Sequence, residues 1–254
     1  LLEYLEFGEN FNQPLNLLNN KLLKYLYFGF NFNQLIKLPN NLIEIIFGDY
    51  FNNPINTTNN KLLEYLKFGD YFNQPLNLSN NLMLKYLHLG HDFNQLIELP
   101  NSLIELTLRY KFNQQINLPN IKILNINCSN KYLIENLPES LECLTLYEFF
   151  NLSLDNLPVN LNKLLFKCYK TNFNYSLDNL PKSLKELELP CNYNKSLNNL
   201  PDGLEILKLP YFYDKKINTI PSGLKLLYIE NEFYTHKNDF IKKKIPVIFN
   251  SKYL

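Results

Sequence analysis

The chain repeats itself about every 20 residues along almost its whole length. Segments 2–8, 23–29 and 63–69 all read Leu-x-Tyr-Leu-x-Phe-Gly, and nine more keep the core Leu/Ile-x-x-Leu/Ile-x-apolar. Those nine begin at Leu42, Leu84, Leu103, Ile121, Leu141, Leu161, Leu184, Leu204 and Leu224. A period of this length is typical of a solenoid, because so small a repeat is stable only when it is stacked on its neighbours. The sequence therefore predicts one continuous solenoid of about twelve repeats over residues 1–234, and a C-terminal cap or tail at 235–254.

Each repeat has room for a strand and two turns, but not for a helix of ordinary length. Apolar and polar side chains alternate in residues 4–8, which is typical of a short strand with one buried face, and Gly8 permits a tight exit from it. The return segment carries a proline in most repeats, with Asn, Asp and Ser around it, and this composition disfavours a regular helix. We therefore expect a curved parallel β-sheet on the concave side. The return segments should be irregular, polyproline-like or 3₁₀, with little α-helix.

A Phe-Asn pair follows the strand in most repeats. We expect the Phe rings to form a column inside the solenoid, which Tyr193, Tyr213 and Phe233 continue near its end. An Asn amide is both donor and acceptor, so successive amides can satisfy backbone groups of adjacent repeats. The sequence thus predicts a buried asparagine ladder with a structural role. Its members are Asn12, Asn33, Asn52, Asn73, Asn94, Asn113, Asn151, Asn174 and Asn194.

The composition excludes several classes of protein. A formal net charge of +1 over 254 residues creates no overall field that would attract nucleic acid or an acidic membrane. The sequence contains no signal peptide and no stretch of 18 apolar residues, and its four cysteines include no Cys-x-x-Cys pair. We therefore expect an intracellular protein that binds neither nucleic acid nor membrane. Because the chain begins without Met and inside a repeat, we also expect a further N-terminal region.

The pentapeptides at 11–15 and 72–76, both Phe-Asn-Gln-Pro-Leu, and Phe-Asn-Asn-Pro-Ile at 51–55 carry a family resemblance. With the preceding Leu-x-x-Leu-x-Phe-Gly, they resemble the FNIP repeat, a leucine-rich-repeat variant of social amoebae and of giant DNA viruses that infect amoebae. The resemblance implies a leucine-rich-repeat-like solenoid that binds another protein, located in the cytoplasm, or in the host cytoplasm if the chain is viral. Such repeats often follow an F-box-like segment, so the resemblance also implies a substrate receptor of a ubiquitin ligase.

No motif in the chain assembles an active site. His88, His91 and Asp92 form the one histidine cluster, but zinc needs three or four converging ligands, and the cysteines lie more than a repeat away. We predict no catalytic residue, no metal and no cofactor, and therefore a protein that is not an enzyme. The segment 242–249, three lysines followed by an apolar run, is interpreted as part of the cap.

The strand residues that point away from the core define the candidate binding surface. Tyrosine is concentrated there in the first five repeats, and tyrosine is enriched at protein interfaces. The predicted partner-binding residues are Tyr4, Tyr25, Tyr27, Tyr65, Tyr86 and His88. Tyrosine also simply suits a strand, so a structural interpretation stays open. The alternative function is a ligand sensor that binds a glycan or another small ligand on the same face. The oligomeric state and the identity of the partner are not determined by the sequence.

Overall fold

The structure is a computed structural model that describes residues 2–167, 171 and 173–249. The chain divides into two compact units, Leu1–Ile121 and Lys122–Leu254, which we call unit 1 and unit 2. The described residues contain thirteen parallel strands, six in unit 1 and seven in unit 2, and within each unit successive strands stack as the turns of a solenoid. The predicted leucine-rich-repeat-like fold class is thus confirmed. The predicted domain boundary at residue 234 stays a prediction.

Unit 1 contains six strands among its described residues. They are β1 (Tyr4–Glu6), β2 (Tyr25–Tyr27), β3 (Glu44–Ile46), β4 (Tyr65–Lys67), β5 (Tyr86–His88) and β6 (Glu105–Leu108). Each strand pairs in parallel with the next one along the sequence. In β2 to β5 the central residue is buried and both of its neighbours point outwards, as the alternating pattern predicts.

Unit 2 repeats this arrangement with two short helices added. Its elements are β7 (Ile123–Ile126), α1 (Lys131–Glu135), β8 (Cys143–Tyr147), β9 (Lys163–Lys167), β10 (Glu186–Glu188), β11 (Ile206–Leu209), β12 (Leu226–Ile229), α2 (Lys237–Lys242) and β13 (Val247–Phe249). Helix α1 begins at the repeat that lacks the Phe-Asn pair, and Asn130 caps it by accepting a hydrogen bond from the Leu133 N–H at 3.3 Å. Strand β13 pairs in parallel with β12, so the segment after residue 234 adds one more strand.

Phenylalanine rings stack in two columns inside unit 1. The predicted column continues from Phe11 to Phe112 with centroids 6.0–6.2 Å apart. A second column, which we did not predict, contains Phe7, Phe28, Phe47 and Phe68 with centroids 5.3 Å apart. Each Phe of the second column also stacks on its counterpart in the first, as Phe28 does on Phe32 at 4.0 Å. The two columns fill the core with planar side chains that fit one above another.

The column in unit 2 departs from the prediction at its last position. Phe150, Phe173, Tyr193 and Tyr213 are buried as expected, but Phe233 is 75% exposed and Tyr234 is buried in its place. Tyr234 lies 6.1 Å from Tyr213, centroid to centroid. In the preceding repeat the buried ring comes four residues after Leu209, whereas Tyr234 comes five residues after Ile229. One additional turn residue therefore moves Phe233 out of the core.

The asparagine ladder is present in unit 1. In each turn the Oδ1 atom accepts a hydrogen bond from the backbone N–H of the equivalent Asn in the next turn, at 2.9 Å in all five steps from Asn12 to Asn113. The side-chain amide of the residue that follows the donor Asn also donates to the same oxygen. For example, Gln95, which follows Asn94, donates to Asn73 at 3.0 Å. The ladder members are exposed or half-buried, so the expectation that they are buried was wrong. The reason is that their Phe neighbours occupy the core and leave the amides at its margin.

In unit 2 the ladder uses other residues at two points. Asn194 accepts from the N–H of Asp214 at 3.1 Å, and the N–H of Asn151 donates to the Ser129 hydroxyl at 3.0 Å. Ser129 thus supplies the acceptor in the repeat where Asn130 caps α1. Asn174 lies exposed in a return segment next to buried Phe173.

The buried amides belong to a second set that the sequence analysis missed. Asn60 and Asn81 are almost fully buried in the turn before the strand. The Asn60 side chain donates to the Pro39 carbonyl at 2.6 Å, and the Asn81 side chain donates to the Asn60 carbonyl at 2.9 Å. Most other repeats have proline at the position of Asn60 and Asn81. The backbone carbonyl of this Asn or Pro accepts a hydrogen bond from the N–H of the Leu three positions later. These return segments are extended chain and turns with hydrogen bonds between residues three apart, which agrees with the predicted irregular return with brief 3₁₀-type turns.

Glycine after the strand is required by close packing of successive turns. A Cβ atom at Gly69 would overlap the backbone of Asp49 in the previous turn, and one at Gly48 would overlap the backbone of Gly29. None of the glycines has positive φ, so it is proximity and not backbone conformation that excludes a side chain. Gly8 differs, because a Cβ there would meet nothing within 4 Å.

Candidate functional site

The outward side chains of the unit 1 strands form two parallel rows, which together we call the tyrosine face. Strand register places Tyr4, Tyr25, Glu44, Tyr65, Tyr86 and Glu105 in the first row. The second row contains Glu6, Tyr27, Ile46, Lys67, His88 and Thr107. All six predicted partner-binding residues lie on this face, at the row positions that the repeat predicts. Neighbouring strands are about 4.8 Å apart, so side chains of one row can contact those of the next turn.

The tyrosines do not form one continuous surface. They form two clusters: Tyr4 packs edge-on against Tyr27 at 5.2 Å, and Tyr65 lies 6.1 Å from Tyr86 and 5.3 Å from His88, centroid to centroid. Strand β3 lies between the clusters and contributes Glu44 and Ile46 instead of tyrosine. The tyrosine face therefore has a carboxylate in the middle of its first row.

His88 is uncharged at neutral pH. Burial lowers the pKa of its imidazole to about 4, and the nearby positive charges of Lys67 and Arg109 act in the same direction. Its Nε2 atom lies 4.0 Å from the Glu105 carboxylate, but with a neutral ring this contact is not an ion pair. His88 therefore serves as a third aromatic ring beside Tyr65 and Tyr86.

Three tyrosine hydroxyls of this face lie near carboxylates that affect their pKa. Burial, together with the nearby Glu44 carboxylate, raises the pKa of Tyr27 to about 12. Burial also raises the pKa of Tyr65, with additional contributions from the charges of Glu44 and Glu105. The Tyr4 hydroxyl donates a short hydrogen bond to the Glu6 carboxylate. Tyr4, Tyr27 and Tyr65 thus present hydroxyls close to carboxylates.

The outward face of unit 2 has a different chemistry. Lys208 lies 2.6 Å from the Glu186 carboxylate and 3.2 Å from that of Glu188. Lys163 also pairs with Glu186, and Lys167 with Glu188. Although burial would raise the pKa of Glu186, the lysines outweigh it and the pKa is lowered. The carboxylates of this face are neutralised within the unit, in contrast to Glu44 in unit 1.

Exposed rings follow the strands of unit 1 at a position that the sequence analysis overlooked. Phe30 contacts Tyr50 edge-on at 4.9 Å, Tyr50 stacks on Tyr71 at 5.0 Å, and His91 stacks on Tyr110 at 5.0 Å. The signal was an aromatic residue one or two positions after the glycine that follows the strand in successive repeats. These rings contact each other between successive turns, so rings stack on the surface of unit 1 as they do in its core.

The remaining reactive side chains do not converge on one point. His91 Nδ1 contacts Asp92 Oδ1 at 2.7 Å and Lys111 pairs with the same carboxylate at 2.9 Å. Cys128 is buried, which raises the pKa of its thiol to about 12, and Cys168 lies outside the described residues. Within residues 2–167, 171 and 173–249, no three His, Cys, Asp or Glu side chains are grouped as a metal site would need. Neither helix of the described chain is long and apolar enough to cross a membrane.

Comparison with known proteins decides the type of repeat. The family model described as FNIP Repeat matches residues 32–60, which include the Phe-Asn-Asn-Pro-Ile motif at 51–55. The chain carries an FNIP repeat. The resemblance read from its motifs is thus confirmed. A search of curated proteins finds no significant match.

The chain also resembles a solved structure. The crystal structure of CroV588, described as a novel circular LRR protein and coming from a giant virus, is 35% identical and superposes with a TM-score of 0.74. The match covers 90% of this chain but 40% of CroV588. The leucine-rich-repeat-like fold therefore accounts for nearly the whole chain, and the chain spans less than half the length of CroV588.

Proposed function

We propose that this chain is a protein-interaction scaffold and that the tyrosine face of unit 1 binds another protein. The observation that carries the proposal is the cluster of Tyr65, Tyr86 and His88, three neutral rings in contact on an outward face. These rings are half-buried and belong to no core, and aromatic residues of this kind are enriched where proteins associate. Leucine-rich-repeat-like solenoids typically act as non-enzymatic scaffolds.

The FNIP resemblance suggests a finer form of this function, in which the bound protein is a substrate presented to a ubiquitin ligase. In that case the ligase subunits would be captured by the chain together with the partner. They would stay bound to the chain when the tyrosine face is mutated and the partner is lost. Binding of a glycan on the same face is the alternative. We favour a protein partner because charged side chains, Glu44 and Lys67, interrupt the rings that a sugar would need as a platform.

The test compares capture of partners by three forms of the full chain. The first is unchanged, the second carries Tyr65→Ala with Tyr86→Ala, and the third carries Tyr147→Ala with Tyr228→Ala on strands β8 and β12. The third form is a matched control, because it removes the same groups from the strands of unit 2. A few aromatic anchors usually dominate an interface, each contributing about 2 kcal/mol or more. We expect a protein that is lost from the second form and kept by the third, with similar melting temperatures for both. Loss from the third form alone would contradict the assignment of the face.

A further inference from the structure

We propose that the tyrosine face recognises an arginine side chain of the partner, seated between Glu44 and the rings of Tyr65 and Tyr86. This inference rests on the proposed function and adds the chemistry of the bound segment. In the first row the order of side chains is Glu44, Tyr65, Tyr86, Glu105, so two rings are flanked by a carboxylate on each side. The row positions place each of these side chains next to the following one, on strands about 4.8 Å apart.

The chemistry of these four side chains fits a guanidinium. The negative face of a tyrosine ring attracts a cation, and a planar guanidinium stacks on the ring while its N–H groups donate to a neighbouring carboxylate. The Tyr65 ring is tilted by 38° from Tyr86 and by 33° from His88, so neither neighbour covers it by parallel stacking. The Tyr27 hydroxyl is close to Glu44, but a carboxylate has about four acceptor sites and keeps room for a bidentate donor.

The charges on the face favour a cation on the first row only. Among the described residues, no Lys or Arg side chain lies within ion-pair distance of Glu44, whereas Glu186 and Glu188 on unit 2 are paired with three lysines. Lys67 lies in the second row and, with Arg109, is close enough to affect His88. Lys24 and Lys85, next to the first row, are paired with Glu3 and Glu64. Because His88 is neutral, it adds no positive charge beside Tyr65. An arginine that approaches the face is therefore drawn towards Glu44 and away from Lys67.

The experiment measures fluorescence anisotropy of a labelled Gly-Arg repeat peptide on the full chain at low and high salt. The same peptide with citrulline, which has the shape of arginine but no charge, is the first control. We expect the arginine peptide to bind about tenfold more tightly than the citrulline peptide, and Glu44→Gln to reduce that ratio about three- to tenfold. Tyr65→Leu should reduce it similarly. Lys67→Ala, which removes the opposing charge, should increase it.

A matched variant separates local recognition from overall charge. Glu98→Gln changes the net charge of unit 1 by the same amount on an exposed return segment, and it should leave the arginine-to-citrulline ratio unchanged. Equal weakening by Glu98→Gln and Glu44→Gln, or equal binding of both peptides, would overturn the proposal. Equal binding of a Gly-Lys peptide would overturn the preference for arginine.

The proposed function does not depend on the arginine proposal, and the two can fail separately. If a captured protein depends on Tyr65 and Tyr86 but is unaffected by Glu44→Gln, the face is an interface that does not recognise a cation. If capture is independent of the two tyrosines, the proposed function itself is wrong.

Discussion

The backbone N–H of Asn94 donates a 2.9 Å hydrogen bond to the Oδ1 atom of Asn73, one turn earlier in the solenoid. Asn73 stands in the same relation to Asn52, which makes each amide both a link to the preceding turn and an acceptor for the next. Backbone groups that a helix would satisfy internally are satisfied here by side chains of adjacent turns. The stability of each turn therefore depends on its neighbours.

Replacing Asn73 by Ala should destabilise the chain by about 1–2 kcal/mol. The change leaves the N–H of Asn94 and the amide of Gln95 without their common acceptor, and both contacts are partly shielded from water. Lys67→Ala is the control, since exposed substitutions usually stay within about 0.5 kcal/mol. Thermal unfolding followed by circular dichroism measures both, and equal melting temperatures would rule out a stabilising ladder.

Gly69→Ala should be among the most destabilising single changes in unit 1, at about 2–3 kcal/mol or more. The added methyl group would overlap the backbone of Asp49, which cannot move without displacing a whole turn. Gly8→Ala makes the same chemical change where the Cβ meets open space, and it should be neutral or slightly stabilising. Urea unfolding of the two variants decides the matter. Similar midpoints would show that the turns can separate.

Tyr213→Phe should stabilise unit 2 by about 1 kcal/mol. The hydroxyl of Tyr213 is buried and has no hydrogen-bond partner within the described part of the chain, which makes it costly to bury. Tyr234→Phe is the counterpart, because its hydroxyl donates to the Lys215 carbonyl at 2.9 Å and its removal should lower the melting temperature. A decrease for both variants would contradict the assignment of Tyr213 as unpartnered.

Acidification below pH 6.5 should weaken unit 1 through His88. The folded-state pKa of about 4 lies below the usual value of 6.5, so the folded chain binds fewer protons between these limits. The contribution of His88 is therefore fully present above pH 6.5 and is lost as the pH falls towards 4, by about 1–2 kcal/mol at pH 5. His88→Gln removes the group, and the difference in urea midpoint between pH 7 and pH 5 should be smaller in that variant. An unchanged difference would mean that other groups cause the pH dependence.

The sequence predicted the fold in more detail than the site. Period, strand position and the outward rows follow from local alternation, so Tyr65 and Tyr86 lie where the repeat predicts. Local patterns carry less information about contacts between turns. Tyr65 and His88 are 23 residues apart in sequence. The sequence around each of them does not show that they are in contact or that burial makes the imidazole neutral. The exposure of Phe233 has the same origin, since one additional turn residue changes which ring enters the core.

The lengths of the repeats vary while the pairing of their strands does not. Leu26 pairs with Ile45, 19 residues later, and Ile45 pairs with Leu66, 21 residues later. The difference is accommodated in the return segments, because backbone contact at the glycines and the amide links tie successive turns together at the strand ends. A loop inserted into a return segment would thus leave both rows of the tyrosine face in place. Over evolution the displayed side chains can change independently of the framework that presents them.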